Sequence, residues 1–161
     1  MSNFLMYSER LPMQTPNTDF SVNHSSTTVS QSPRNPVLIS EDDPHIMRLY
    51  ETLLSRLGLH TISIPHAQQA LDFIRHNPVS LIISDLHKPI MNGLDMLCHL
   101  RNNPATADVP FIMVTATPDI GTQKVFAELG GNVMLSKPFN VQTFSNAVLK
   151  LVEPQFLEES A

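Results

Sequence analysis

Four short apolar stretches of this chain each run into residues that phosphoryl chemistry uses. VLIS (37–40) leads to Glu41, Asp42 and Asp43; LIIS (81–84) leads to Asp85; FIMV (111–114) leads to Thr115; VMLS (133–136) leads to Lys137. Glu41 and Asp42 form an oxygen-rich acid cluster with no soft ligand in it, which suits a hard divalent ion such as Mg2+. Asp85 is a further carboxylate that such an ion would relieve of repulsion, leaving an ionised oxygen free as a nucleophile. Thr115 offers a hydroxyl and Lys137 a point charge for phosphoryl oxygens, and the small Ala116 leaves room for them. Each residue also has an ordinary reading. Acids favour helix N-termini, and Asp43, next to Pro44, is assigned to that role. Asp85 alone is a strand-end acid, Thr115 a strand threonine, and Lys137 a surface lysine before a turn proline. Their shared position, each after an apolar run, sets the group apart.

The elements that would position them alternate regularly. Strands are predicted at Val37–Ser40, His60–Ile64, Ser80–Ser84, Pro110–Val114 and Asn132–Leu135. Helices are predicted from Pro44 to Leu57 with Gly58 as stop, Pro65 to His76, Gly93 to Arg101, Asp119 to Leu129, and from an Asn140 cap through Val152. The first helix presents Ile46, Leu49, Leu53 and Leu57 as its core stripe. Met47, Tyr50 and Leu54 form a second stripe, read as a docking face for a phosphodonor. Five successive βα units imply right-handed crossovers and a parallel sheet with helices on both faces, an α/β fold. In such a sheet the carboxyl ends of all strands lie on one edge, where ligands bind. That edge would gather Glu41, Asp42, Asp85, Thr115 and Lys137.

The bulk properties fit this plan. The 161 residues suffice for one domain with a full core; 42% are hydrophobic and 16% charged. A net charge of −5 argues against a nucleic-acid partner. The single cysteine, Cys98, excludes a disulfide framework and fits a reducing, cytoplasmic setting. No apolar run reaches the length of a membrane span, and the start of the chain is not a secretory signal. Residues 1–35 hold seven serines, four threonines and prolines 12, 16 and 33, without a sustained apolar period. They read as a flexible tail. The domain is placed at 36–153, followed by a short tail at 154–161 and no second folded domain. The seven histidines are scattered and read as surface residues.

The segments VLISEDDP, LIISDLHKPIMNG, FIMVTAT and LSKPF, with Asp42, Asp85, Thr115 and Lys137 in that order, resemble the receiver domain of bacterial two-component response regulators. The resemblance covers about Pro36 to Val152. It implies a flavodoxin-like sheet of order 2-1-3-4-5, with Asp85 as phosphoacceptor and Mg2+ as cofactor. The ion would be held by Asp42 and Asp85 directly, by Glu41 through water, and by the His87 backbone carbonyl. Thr115 and Lys137 would hold phosphoryl oxygens. The implied function is a stand-alone signalling phosphoacceptor, not an enzyme acting on a separate substrate. Its phosphodonor would be a histidine kinase or histidine phosphotransfer protein. A protein target would dock on the face of the fourth helix, fifth strand and last helix, or the phosphoryl group would pass along a relay. The sequence departs from the family at Lys88, usually methionine, and at Met134, usually an aromatic residue. Two alternatives stay open: a phosphorylation-independent interaction module of the same fold, and a haloacid-dehalogenase-type phosphatase. The latter family wants an acid at the position of His87. Lys137–Pro138 is a candidate cis bond.

Overall fold

The structure, a computed structural model, describes residues 35–152. The predicted tails at 1–35 and 154–161 lie outside the described residues, apart from Asn35. Among the described residues five strands alternate with five helices: β1 (Val37–Ser40), α1 (Pro44–Arg56), β2 (Thr61–Ser63), α2 (Ala67–Ile74), β3 (Leu81–Asp85), α3 (Gly93–Arg101), β4 (Phe111–Thr115), α4 (Ile120–Glu128), β5 (Val133–Ser136) and α5 (Val141–Val152). All strand pairs are parallel, in the order β2-β1-β3-β4-β5. The fold class and strand order are those the sequence implied. None of the described helices is long and apolar enough to cross a membrane.

Strands β3, β4 and β5 each end one residue later than predicted. Asp85, Thr115 and Ser136 are polar, so a reading by hydrophobicity stops before them. The backbone ladder continues through them, pairing Asp85 with Val114 and Thr115 with Ser136. Asp85 and Thr115 therefore stand on the last rungs of rigid strands, not in loops.

Alternation along β1, β3 and β4 divides the core into two layers. Val37, Ile39, Leu81, Ile83, Ile112 and Val114 face α1 and α5; Leu38, Ile82, Phe111 and Met113 face α2, α3 and α4. Helix α2 buries Ala67, Ala70, Leu71 and Ile74. Helix α1 corrects the sequence reading. Tyr50, Leu53 and Leu54 are buried, Ile46, Met47 and Leu57 pack beside them, and Leu49 is 42% exposed. The two overlapping stripes read from the sequence are one broad face whose centre lies at Tyr50 and Leu54. Packing favours that centre because the Tyr50 ring stacks on Phe139 and Phe144, with centroids 5.8 and 5.5 Å away. The stripe assigned to a phosphodonor is thus core and offers no docking face. Helix α5 is capped by Asn140 as predicted, but its Val141 is 52% exposed.

Two positions between β3 and α3 set the path of the site loop. Gly93 opens α3 against the strand end; a Cβ there would lie 2.6 Å from the Asp85 carbonyl oxygen and 3.1 Å from Met113 Cε. Only glycine fits without moving β3. Ile90 has a φ of 72° and is fully exposed, and the Met91 N–H returns to the Pro89 carbonyl at 2.8 Å. A β-branched residue is poorly suited to this left-handed turn. In urea denaturation Gly93→Ala is expected to lose about 2–3 kcal/mol through overpacking against the backbone. Ile90→Asn, which tolerates the left-handed region, is expected to gain about 1 kcal/mol. A neutral Gly93→Ala would show that the strand end can yield.

Candidate functional site

The site is assembled from four strand ends. Glu41 follows β1 and is 2% exposed, Asp85 ends β3 at 8%, and Thr115 ends β4 fully buried. Lys137 follows β5, and its N–H donates to the Thr115 carbonyl at 2.8 Å. The Leu86 N–H likewise donates to the Val114 carbonyl at 3.2 Å. Backbone bonds therefore fix Asp85 and Lys137 against β4 before any side chain is considered. The Lys137–Pro138 bond is cis.

The side chains converge on one ammonium. Lys137 Nζ donates to Asp85 Oδ2 and, at 3.1 Å, to Glu41 Oε2. Asp85 Oδ1 accepts from the His87 N–H at 2.6 Å, and Glu41 Oε1 accepts from the Asp43 N–H at 3.1 Å. Asp43 takes the capping role assigned to it, accepting from the His45 and Ile46 N–H groups at 2.8 and 3.3 Å. These two bonds hold its carboxyl below the ordinary carboxylate value. Thr115 Oγ1 accepts from the Thr117 N–H at 3.2 Å. Asp42 is exposed beside this group and is not gathered into it. Among the described residues no three acidic, histidine or cysteine side chains are grouped to hold a metal ion.

The charge balance at this edge is uneven. Burial raises the Glu41 carboxyl above its ordinary value, and the Asp43 N–H and Lys137 offset only part of that cost. For Lys137, burial pulls the ammonium down, but its bonds to Asp85 and Glu41 outweigh burial and hold it above the ordinary lysine value. Both groups thus lie above their ordinary values, the charged form being favoured for the lysine and disfavoured for the carboxyl. The difference arises because the lysine has two carboxylates, whereas Glu41 has a share of one cation.

Three features of this region were not read from the sequence. Lys88 turns inward: its Nζ donates to Ser40 Oγ at the end of β1 and lies 4.0 Å from Met96 Sδ. Burial lowers its pKa to about 8, although Asp85, Glu41 and Asp42 act in the opposite direction. The signal for Ser40 was a polar residue closing an apolar strand. The imidazole Nε2 of His87 lies 3.0 Å from Thr117 Oγ1 and joins the loops after β3 and β4. Finally, the Tyr50 hydroxyl is buried without a hydrogen-bond partner among the described residues, and burial pushes its pKa far above the ordinary tyrosine value.

Comparison with known proteins decides the family. Residues 37–149 match the response regulator receiver domain. The chain belongs to that family. It is similar to a probable chemotaxis protein CheY of Rhizobium etli, 34% identical over 113 residues that cover 70% of this chain and 88% of the relative. Among solved structures it is similar to a putative response regulator of Chloroflexus aurantiacus, with a TM-score of 0.70, 28% identity, and 74% and 98% of the two chains covered. It also shares its fold with the receiver domain of the sensor histidine kinase PA1611 of Pseudomonas aeruginosa. That comparison has a TM-score of 0.68 at 22% identity, covering 74% and 98%. The PA1611 domain is described with a magnesium ion coordinated in its active-site cleft. Other relatives are probable transcriptional regulators, of whose length this chain spans 43% or 41%.

In this receiver domain the raised Glu41 carboxyl has a consequence for stability. The folded state holds that proton more tightly than the unfolded chain does. Stability from Glu41 is therefore full below the ordinary carboxylate value of 4.5 and is lost as pH rises through the folded value. Asp43 and Asp119, whose carboxyls are lowered, act only at more acidic pH. Urea titrations in EDTA from about pH 4 to pH 8 are expected to show stability declining in the wild type relative to Glu41→Gln. A difference that stays constant across the range would mean that Glu41 is not the group responsible.

Proposed function

We propose that Asp85 accepts a phosphoryl group from a phosphohistidine of a histidine kinase or histidine phosphotransfer protein. One observation carries this reading: a buried strand-end carboxylate meets the Lys137 ammonium beside a buried strand-end threonine, Thr115. An Asp85 carboxylate oxygen attacks phosphorus, the P–N bond to the donor imidazole breaks, and an acyl phosphate forms. The imidazole leaves with the electron pair and takes up a proton. Lys137 and the Thr115 hydroxyl hold phosphoryl oxygens as charge moves onto them. The protein is a signalling phosphoacceptor and acts on no separate substrate.

The donor chemistry at the edge fits Mg2+. All candidate ligands are oxygens, and Glu41 is a desolvated carboxylate with only a shared cation. Asp42 and Asp85 would bind the ion directly, Glu41 through water, and the His87 carbonyl would complete the protein's contribution. For this, the exposed Asp42 side chain has to turn towards Asp85. When bound, the ion supplies charge neutralisation for the phosphoryl oxygens. The reading places this receiver, residues 36–153, in the cytoplasm.

The output surface of this reading is the face of α4, β5 and α5. Ile120 and Val125 on α4 and Val141 on α5 are exposed apolar residues. A groove between α4 and β5 is lined by Phe126, Ala127, Met134 and Ser136. Met134 can change rotamer but lacks the ring and polar tip of an aromatic switch. A protein target docking here would read the phosphorylated state; otherwise the phosphoryl group passes along a relay.

Incubation with acetyl phosphate and Mg2+ is expected to add one phosphoryl group, visible by mass spectrometry, and Asp85→Asn to abolish it. Asp42→Ala is expected to weaken Mg2+ binding at least tenfold, one charge–charge contact with a divalent ion being worth over 1 kcal/mol. Equal labelling of Asp85→Asn would move the acceptor elsewhere. No labelling of the wild type would favour a phosphorylation-independent module.

A further inference from the structure

The loop after β3 brings a second ammonium to the acid edge. A lysine on a protein surface usually lays its methylene stem on apolar atoms and keeps its head in water. Lys88 is half-buried, and its head is the part turned inward. Its contacts there are the Ser40 hydroxyl and, weakly, the Met96 sulfur. Neither is a counter-ion. A hydroxyl and a thioether do not compensate a strongly hydrated ammonium for lost water. The compensating charge lies next to Ser40: Glu41 follows it in the chain, and Asp85 follows its ladder partner Ser84. Glu41, Asp42 and Asp85 all favour the charged form of Lys88.

The formal charge of the edge depends on this residue. Three carboxylates against Lys137 alone leave two negative charges; with Lys88 only one remains. A divalent cation entering the cleft meets that net field. A methionine of similar length at position 88 would keep the packing on Met96 and remove the charge.

We propose that Lys88 is a built-in counter-charge of the acid cluster, which stabilises Glu41, Asp42 and Asp85 without metal and thereby weakens divalent-ion binding. The proposal rests on the reading of Asp42 and Asp85 as Mg2+ ligands. It makes Lys88 a positioning and tuning residue rather than a catalytic one. In the resting protein its ammonium does part of the work that a metal would do. Once a phosphoryl group adds negative charge, the same ammonium is an asset.

The test is Mg2+ titration of the unphosphorylated full chain, followed by amide chemical shifts, in the wild type, Lys88→Met, Lys88→Gln, Lys88→Arg and Asp42→Ala. Lys88→Met and Lys88→Gln are expected to bind Mg2+ about three- to tenfold more tightly, as befits one unit charge acting on a divalent ion across a partly solvated edge. Lys88→Arg is expected to stay within about twofold, because the charge is kept. Thermal melts give a second readout. In EDTA, Lys88→Met should melt several degrees below the wild type, and saturating Mg2+ should close the gap. A gap that persists in Mg2+ would show a packing role only and overturn the proposal. So would equal or weaker Mg2+ binding by both neutral variants, with Asp42→Ala still binding poorly; the metal reading would then stand without Lys88. Absence of Mg2+ binding in every variant would overturn both.

Discussion

The Lys137 ammonium between Asp85 and Glu41 is the constraint around which this molecule is organised. Two carboxylates on different strands are buried at one sheet edge, where like charges repel in a medium of reduced dielectric. Without a cation between them, that repulsion would go unrelieved. The lysine that prevents this comes from β5, two strands away from Asp85 and three from Glu41. The sheet order is thus part of the chemistry. A parallel sheet puts the carboxyl ends of β1, β3, β4 and β5 on one edge, and the β4–β5 ladder brings the Lys137 backbone to Thr115.

Lys137 is also fixed from the side of the core. Two residues further on, Phe139 stacks on Phe144 and Tyr50, with centroids 5.2 and 5.8 Å away. Its own N–H is bonded to Thr115. The backbone that carries the ammonium is therefore held at both ends, and the freedom that remains lies in its four methylenes. That arrangement suits a group that must aim at whichever oxygens occupy the edge. The Tyr50 hydroxyl, buried without a partner among the described residues, offsets some of what its ring contributes.

The sequence disclosed the fold because each apolar run was short, β-branched and followed by a helix signal, and because Asp85, Thr115 and Lys137 each closed such a run. It did not disclose where the strands end. Periodicity reports side-chain burial, whereas a ladder is backbone, so the polar last rungs were read as loop. It also divided the apolar residues of α1 between core and surface in the wrong way. Ile46, Leu49 and Leu53 have helical spacing, as do Met47, Tyr50 and Leu54; only the rings waiting at Phe139 and Phe144 decide which stripe is central. Lys88 stands out in the sequence only as a departure from the family, because a charge beside a proline gives no sign of direction. Its inward turn is towards the Ser40 hydroxyl, 48 residues earlier in the chain, and the Glu41 and Asp42 that follow it.

These observations together describe a site that is stable for reasons different from those that make it reactive. Glu41 is buried with incomplete compensation, and Lys88 is dehydrated among neutral contacts. The first is a cost to folding that an apolar residue would avoid; the second is offset in part by the charges of Asp85, Glu41 and Asp42. The cost is tolerable because the last rungs of β3 and β4 lie next to two fully formed apolar layers, in which Ile83, Ile112, Val114 and Phe111 are completely buried. The same rigidity keeps the acids from relaxing apart when they repel. A cleft held open in this way retains unbalanced negative charge, and on the proposed reading that charge gives a divalent ion a reason to bind there. The stability of the sheet and the affinity of its edge for cations are therefore two consequences of one arrangement: strands too well packed to let their terminal carboxylates escape one another.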